Sequence, residues 1–190
     1  AALVELPVGV VDGDVEERKA DERGEMGQSG FGRTCRVEFI LQGVETLPLR
    51  MERHSRNALA VAQFLQGHAR VSWVNYPGLP EHPQHALMKQ QMRALDGVPM
   101  ASGLLAFGVR GGAAAGVKFI EGAQFLSHLV NIGDTRTLIS HPATTTHRQL
   151  DEAQQRAAGV LPDMVRISVG LEHIDDILWD IDQALNKTGD

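Results

Sequence analysis

The sequence predicts an α+β fold in which a small sheet is covered on one face by helices. Three observations predict it. From Phe39 onward, helical stripes alternate with short β-branched runs in the order α-β-α-β-α-β-β-α. The strand runs are short. The helices are amphipathic rather than apolar all round, so each has one face to bury and one to solvate.

The first helix is expected from about Gln42 to Gly67. Met51, Ser55, Ala58, Ala62 and Leu65 form its stripe, Pro48 sits near its start, and Gly67 stops it. Val71 to Tyr76 reads as a strand closed by Pro77-Gly78. Pro83 to Leu95 reads as a helix, Leu104 to Val109 as a strand broken by Gly111-Gly112, and Ala113 to Leu126 as a helix. Thr135 to Ile139 and Met164 to Val169 read as strands. In the last helix Ile174, Ile177, Leu178, Ile181 and Leu185 share one face. Asp175, Asp176, Asp180 and Asp182 are expected to face water. Asp175 and Asp176 also suit the positive end of its dipole. Upstream, the charge run Glu16 to Arg23 and the closely spaced Gly24, Gly27, Gly30 and Gly32 show no period. Residues 1–38 are therefore expected to be an irregular, disordered arm, and residues 39–190 a domain.

At 190 residues the chain has room for one domain, or one domain and a loose arm. Hydrophobic residues are 43%, enough to offset ordering entropy, so a wholly disordered chain is excluded. The balance of 18 basic and 24 acidic residues gives a net charge of −6, with no basic stripe, so nucleic acid is not an expected partner. No long apolar run spans a membrane, and Pro7 with no preceding basic segment argues against a secretory signal in Leu3 to Val11. The lone Cys35 cannot form an internal disulfide and fits a reducing, cytoplasmic setting. The start at Ala1-Ala2, without an initiator methionine, reads as a fragment or a processed product.

Chemistry concentrates at two places. In Met164 to Val169, Val165, Ile167 and Val169 share one face, and Arg166 and Ser168 share the other. An arginine centred in a short apolar strand needs an anion, and its planar fork suits a carboxylate. That anion is either a substrate carboxylate or an internal Asp or Glu. The run Asn131 to His147 is dense in hydroxyls and carries two histidines; it is either a site loop or a surface loop with ordinary turn hydrogen bonds. No metal site is expected, because His82/His85 and His141/His147 bring no further ligands at metal-binding spacing. Gly108 to Gly112 lacks the dinucleotide spacing, no phosphate loop is present, and Phe31 spoils a nucleophile elbow at Gly27 to Phe31. Cys35 lies between Arg33 and Arg36, but no organised base accompanies it, so it reads as an inert thiol.

Four ordered segments carry a resemblance. They are Gln42 to His54, Trp73 to Leu79, Asn131 to His147, and Val165 to Glu172. Together, over about Phe39 to Leu185, they resemble the C-terminal domain of the Cys/Met-metabolism enzymes that depend on pyridoxal 5'-phosphate. Within that family they are most similar to the O-acetylhomoserine sulfhydrylase branch; the hint is Thr145 in His141 to His147, where related γ-lyases tend to have methionine. The resemblance implies the small C-terminal domain of a fold-type I enzyme, with a short, mostly antiparallel sheet. It implies that Arg166 binds the substrate α-carboxylate and that the backbone of Thr137 lies near it. Thr144, Thr145, Thr146 and His147 fall in the loop beside the pocket. The activity implied for the complete enzyme is replacement of acetate on O-acetylhomoserine by sulfide or a thiol, in methionine and cysteine biosynthesis, by a homo-oligomer.

The family chemistry also requires a cofactor-bound lysine in a Ser-x-x-Lys or similar context. Lys19, Lys89, Lys118 and Lys187 are the only lysines, and none has serine two or three residues before it. The phosphate-binding segment and the aspartate for the pyridine nitrogen are likewise not matched, and residues 1–38 do not resemble the segment expected just before Gln42. The expectation is therefore that the chain alone is inactive and holds no pyridoxal phosphate, with no catalytic residue of its own. Two alternatives stay open: a stand-alone interaction domain that docks on a full-length homologue, and a piece of a related cystathionine synthase or methionine γ-lyase.

Overall fold

The computed structural model describes residues 28–189, with side chains from Val37 onward. The charge run Glu16 to Arg23 and the thiol of Cys35 lie outside what is described. The chain divides into two compact units, Ala1–Ile40 and Leu41–Asp190. Of the first unit, the described residues are helical and belong to α1 (Gln28–Glu45). This corrects the expectation of irregular chain for residues 28–38.

The expected first helix is two helices. α1 ends at Glu45, and α2 runs from Leu47 to Gly67. Pro48 is the cause. It has no N–H to continue the ladder from α1, and it sits in the first turn of α2, where none is needed. The Thr46 hydroxyl donates back to the Gln42 carbonyl (3.1 Å) at this joint. After α2 come β1 (Val71–Asn75), α3 (His85–Gln91), β2 (Leu104–Val109) and α4 (Gly112–Gly122). Then follow β3 (Ser127–His128), β4 (Leu138–Ser140), α5 (Glu152–Ala157), β5 (Met164–Ser168) and α6 (Ile174–Asn186). α3 is shorter than expected because the chain turns back after it. Met92 is extended, Arg93 bridges Pro99, and Gly97 takes φ +82° in the turn at Asp96-Gly97. Two short elements were not anticipated. β3 has only two residues, and α5 is opened by a capping box between Asp151 and Gln154.

The strands form one five-stranded sheet in the order β1-β2-β5-β4-β3. Every pairing is antiparallel except β3 with β4. One face is apolar and covered by helices. Leu105, Phe107, Val109, Ile139, Val165 and Ile167 pack under Ala58, Val61 and Leu65 of α2, Phe119 of α4, and Ile177 and Ile181 of α6. Phe107 and Phe119 meet edge to face, with centroids 5.5 Å apart. Each large side chain buried here contributes about 1.5–3 kcal/mol.

One acidic residue reverses its expected role. Asp180 is fully buried. Its carboxylate accepts from the backbone amides of Gln124 (2.9 Å), Phe125 (2.9 Å) and Leu126 (2.8 Å), and from the Gln183 side chain (2.7 Å). α4 stops at Gly122, so these amides reach β3 without helical partners, and Asp180 supplies them. Asp175 and Asp176 are exposed as expected.

Candidate functional site

The sheet face opposite the helices carries the candidate site. Arg166 is at the middle of β5, between Ala106 of β2 and Ser140 of β4. Strand alternation turns its neighbours Val165 and Ile167 into the core and leaves the guanidinium on the other face. Ser168 is on the same face as Arg166, opposite Leu138. Leu129, Val130 and Asn131 complete a groove with Leu138, Ser140, Arg166 and Ser168.

Arg166 is the notable group in this groove. One Nη donates to the Asn131 carbonyl at 3.4 Å, the long end of a hydrogen bond. No Asp or Glu among the described residues forms an ion pair with it. Ser140 and Ser168 are buried beside it. The arrangement offers a planar cation on a surface of small polar groups, which suits one carboxylate held by both of its oxygens.

The register that places Arg166 is held from the ends of β4 and β5. The carboxylate of Glu172 accepts from Thr137 N–H (2.5 Å) and from the Thr137 hydroxyl (2.8 Å). The Thr137 oxygen in turn accepts from Gly170 N–H (2.9 Å). Gly170 must be glycine for this. A Cβ there would lie 2.2 Å from Glu172 Oε2 and 2.5 Å from the Thr135 carbonyl. α2 grips the same loop. Asn57 donates to the carbonyls of Gly170 (3.0 Å) and Glu172 (3.1 Å), Arg53 donates to Glu172 (3.2 Å), and His54 Nδ1–H donates to Val169 (2.6 Å). Nearby, Arg136 hydrogen-bonds Asp134 and holds its carboxyl below the usual carboxylate range.

The residues singled out in the sequence therefore separate. Arg166 lies in the groove. Thr137 is buried behind it, its N–H and hydroxyl committed to Glu172 and Gly170. Thr144, Thr145, Thr146 and His147 do not line the groove. The Thr144 hydroxyl is 2.9 Å from His141 Nδ1, and the Thr145 hydroxyl donates to the His141 carbonyl (2.8 Å). Thr146 and His147 bond each other (2.8 Å), and Gln155 donates to the His147 carbonyl (2.9 Å). These are turn contacts around His141, which is buried against Gly116 and 2.8 Å from the Pro162 carbonyl. The sequence reading held Asn131 and Ser140 only as members of the Asn131 to His147 run, and missed Glu172 as a clip. Their signal was register: Ser140 faces Arg166 only once β4 is paired.

The described lysines stand apart from the groove. Lys89 and Lys118 are exposed on α3 and α4, and Lys187 donates to the Gly122 carbonyl (3.1 Å). None of the three lines the Arg166 groove, and Lys19 lies outside the described residues. Among the described residues no cluster of three or more His, Cys, Asp or Glu is placed to hold a metal ion. No described helix is long and apolar enough to cross a membrane.

Comparison with known proteins identifies the family. The family model for Cys/Met metabolism PLP-dependent enzymes matches residues 8–186, and so takes in most of residues 1–38, which were expected not to resemble the family. An O-acetyl-L-homoserine sulfhydrylase of Leptospira meyeri is 54% identical over 149 residues, which is 78% of this chain and 33% of that protein. An L-methionine gamma-lyase of Pseudomonas deceptionensis is 42% identical over 149 residues, covering 78% of this chain and 36% of its own. A crystal structure assigned as an O-acetylhomoserine (thiol)-lyase of Campylobacter jejuni carries N'-pyridoxyl-lysine-5'-monophosphate. It superposes with a TM-score of 0.69 at 39% identity, over 77% of this chain and 34% of that one. The chain thus spans about a third of the length of the relatives it matches.

Proposed function

The chain belongs to the Cys/Met metabolism PLP-dependent enzymes, and from that premise we propose that it forms the substrate-carboxylate side of an O-acetylhomoserine sulfhydrylase-type active site. One observation carries the reading. Arg166 is in the middle of the sheet, on the face the helices leave open, with no carboxylate partner among the described residues. An arginine kept there for structure would be paired, because a half-buried unpaired guanidinium costs free energy.

In this reading Arg166 holds the α-carboxylate of O-acetylhomoserine, and the Glu172–Thr137 clip holds Arg166 in register. Fixing the carboxylate orients the carbons that lose a proton and acetate before sulfide or a thiol adds. Pyridoxal phosphate would supply the electron sink for those losses. We further propose that the groups holding it lie outside the described residues, since no described lysine reaches the groove.

The test has two arms. O-Acetyl-L-homoserine is titrated into the protein and followed by amide chemical shifts of residues 129–140 and 164–168. Saturable shifts are expected, lost in Arg166→Ala and only partly restored in Arg166→Lys, which keeps the charge but not the fork. Shifts unaffected by Arg166→Ala would sink the reading. In the second arm, pyridoxal phosphate, O-acetylhomoserine and sulfide are supplied to the chain alone. No homocysteine is expected, and turnover with a lysine-bound cofactor would refute the assignment of the cofactor groups. The gamma-lyase relative keeps a second reading in view, and a substrate screen comparing acetate replacement with methionine cleavage on a preparation competent for turnover separates the two.

A further inference from the structure

A second concavity lies away from the Arg166 groove and shares no residue with it. It sits between α2, α3 and the Met92–Met100 turn-back, and has a volume of about 310 Å³. That is at the lower end of the range for small-molecule pockets, about 300–1,000 Å³.

Its floor is apolar because the polar groups there face elsewhere. Tyr76, Ser55, Met88 and Ala101 are all buried. The Tyr76 hydroxyl donates to the Ser102 carbonyl (2.8 Å), and the Ser55 hydroxyl donates to the Ala101 carbonyl. His85 Nδ1–H donates to the Pro77 carbonyl (2.9 Å). What remains for an occupant is carbon and sulfur from Met88, Met100 and Leu59.

The rim carries two cations and two anions. Glu52 and Arg56 satisfy each other at 2.7 Å. Lys89 has no hydrogen-bond or ion-pair partner among the described residues. Asp96 accepts only the Val98 amide (3.0 Å) and faces no paired cation. One free cation and one free anion are therefore left over an apolar floor. A simple carboxylate would leave Asp96 without a counter-charge, and a simple amine would do the same to Lys89. A zwitterion answers both.

We propose that this cavity binds a small α-amino acid with an unbranched apolar side chain. Its carboxylate lies toward Lys89, its ammonium toward Asp96, and its side chain on Met88 and Met100. The site is distinct from the Arg166 groove and does not depend on the function proposed above.

The experiment uses the 190-residue chain labelled with ¹³C at the methionine methyls. L-Norleucine, hexanoate and hexylamine are the probes. The Met88 and Met100 lines are assigned by Met88→Leu and Met100→Leu. Norleucine is expected to shift both lines saturably, and to bind at least fivefold more tightly than hexanoate or hexylamine. Lys89→Ala and Asp96→Asn should each weaken it fivefold or more; both residues are exposed, and Asn keeps the acceptor for Val98. Arg166→Ala should leave the shifts unchanged, which separates this site from the groove. The proposal is overturned by absent shifts at Met88 and Met100, by discrimination below fivefold, by a smaller effect of either rim variant, or by loss of the shifts in Arg166→Ala.

Discussion

Asp180 shows how much one carboxylate decides here. Three backbone amides and one side-chain amide point at it in the core, where an unmet donor costs about 1–3 kcal/mol. Asp180→Ala is therefore expected to lower stability by ~3 kcal/mol or more in urea unfolding, and Asp180→Asn by less, because one acceptor oxygen survives. The residue was misread because the helix stripe alone puts an aspartate three residues after Ile177 on either side of the boundary. Only the amides arriving from the end of α4 give it a reason to be inside. Tyr76 offers a cleaner measurement, since it is the only tyrosine in the chain. Burial pushes its phenol well above the ordinary tyrosine value. The folded state thus keeps a proton that the unfolded state releases above about pH 10, so stability is full below that pH and falls as pH rises through it. Tyrosinate absorbance should stay flat past pH 10 and then appear together with loss of helical circular dichroism. Titration of the phenol with the helical signal intact would contradict its burial.

Among the elements, β1 and β2 depend on a missing side chain. A Cβ at Gly108 would lie 2.2 Å from the Trp73 indole nitrogen and 2.4 Å from the Asp163 carboxylate. The bond between those two groups (3.0 Å) crosses that position and ties β1 to the start of β5. Gly108→Ala is expected to break it, costing ~1–3 kcal/mol in urea unfolding and altering Trp73 fluorescence. An unchanged spectrum and midpoint would show that the contact contributes nothing. This was not legible in the chain, where Gly108 looked like a strand glycine before Gly111-Gly112. The amphipathic α6 and the alternation in β5 were legible, because period alone defines their buried faces. The ends of α2 and α3 were less so. Pro48 and the Asp96-Gly97 turn divide stretches whose apolar periodicity runs on past them.

Across the whole molecule, the helices cover one sheet face and leave Arg166 on the other. Arg166→Ala should therefore change stability by no more than about 0.5 kcal/mol, since it loses only the long hydrogen bond to the Asn131 carbonyl, while abolishing the carboxylate response. A large loss of stability would instead mark Arg166 as part of the structural framework.

The amino-acid sequence by itself determined the α+β class and the core faces of α2, β5 and α6, which follow from local period. The four motif segments carried the family and with it the proposal for Arg166, whose place in an apolar strand alone left a substrate carboxylate and an internal ion pair both open. Only the tertiary structure decided what surrounds Arg166. Ser140 meets it through the pairing of β4 with β5, Asn131 reaches it from the loop after β3, and Glu172 reaches Thr137 across 35 residues of chain. It also turned the threonine run toward His141, away from the groove. Local sequence specifies which face of an element is apolar, but pairing across long separations depends on which strand lies beside which. That is where the site is made.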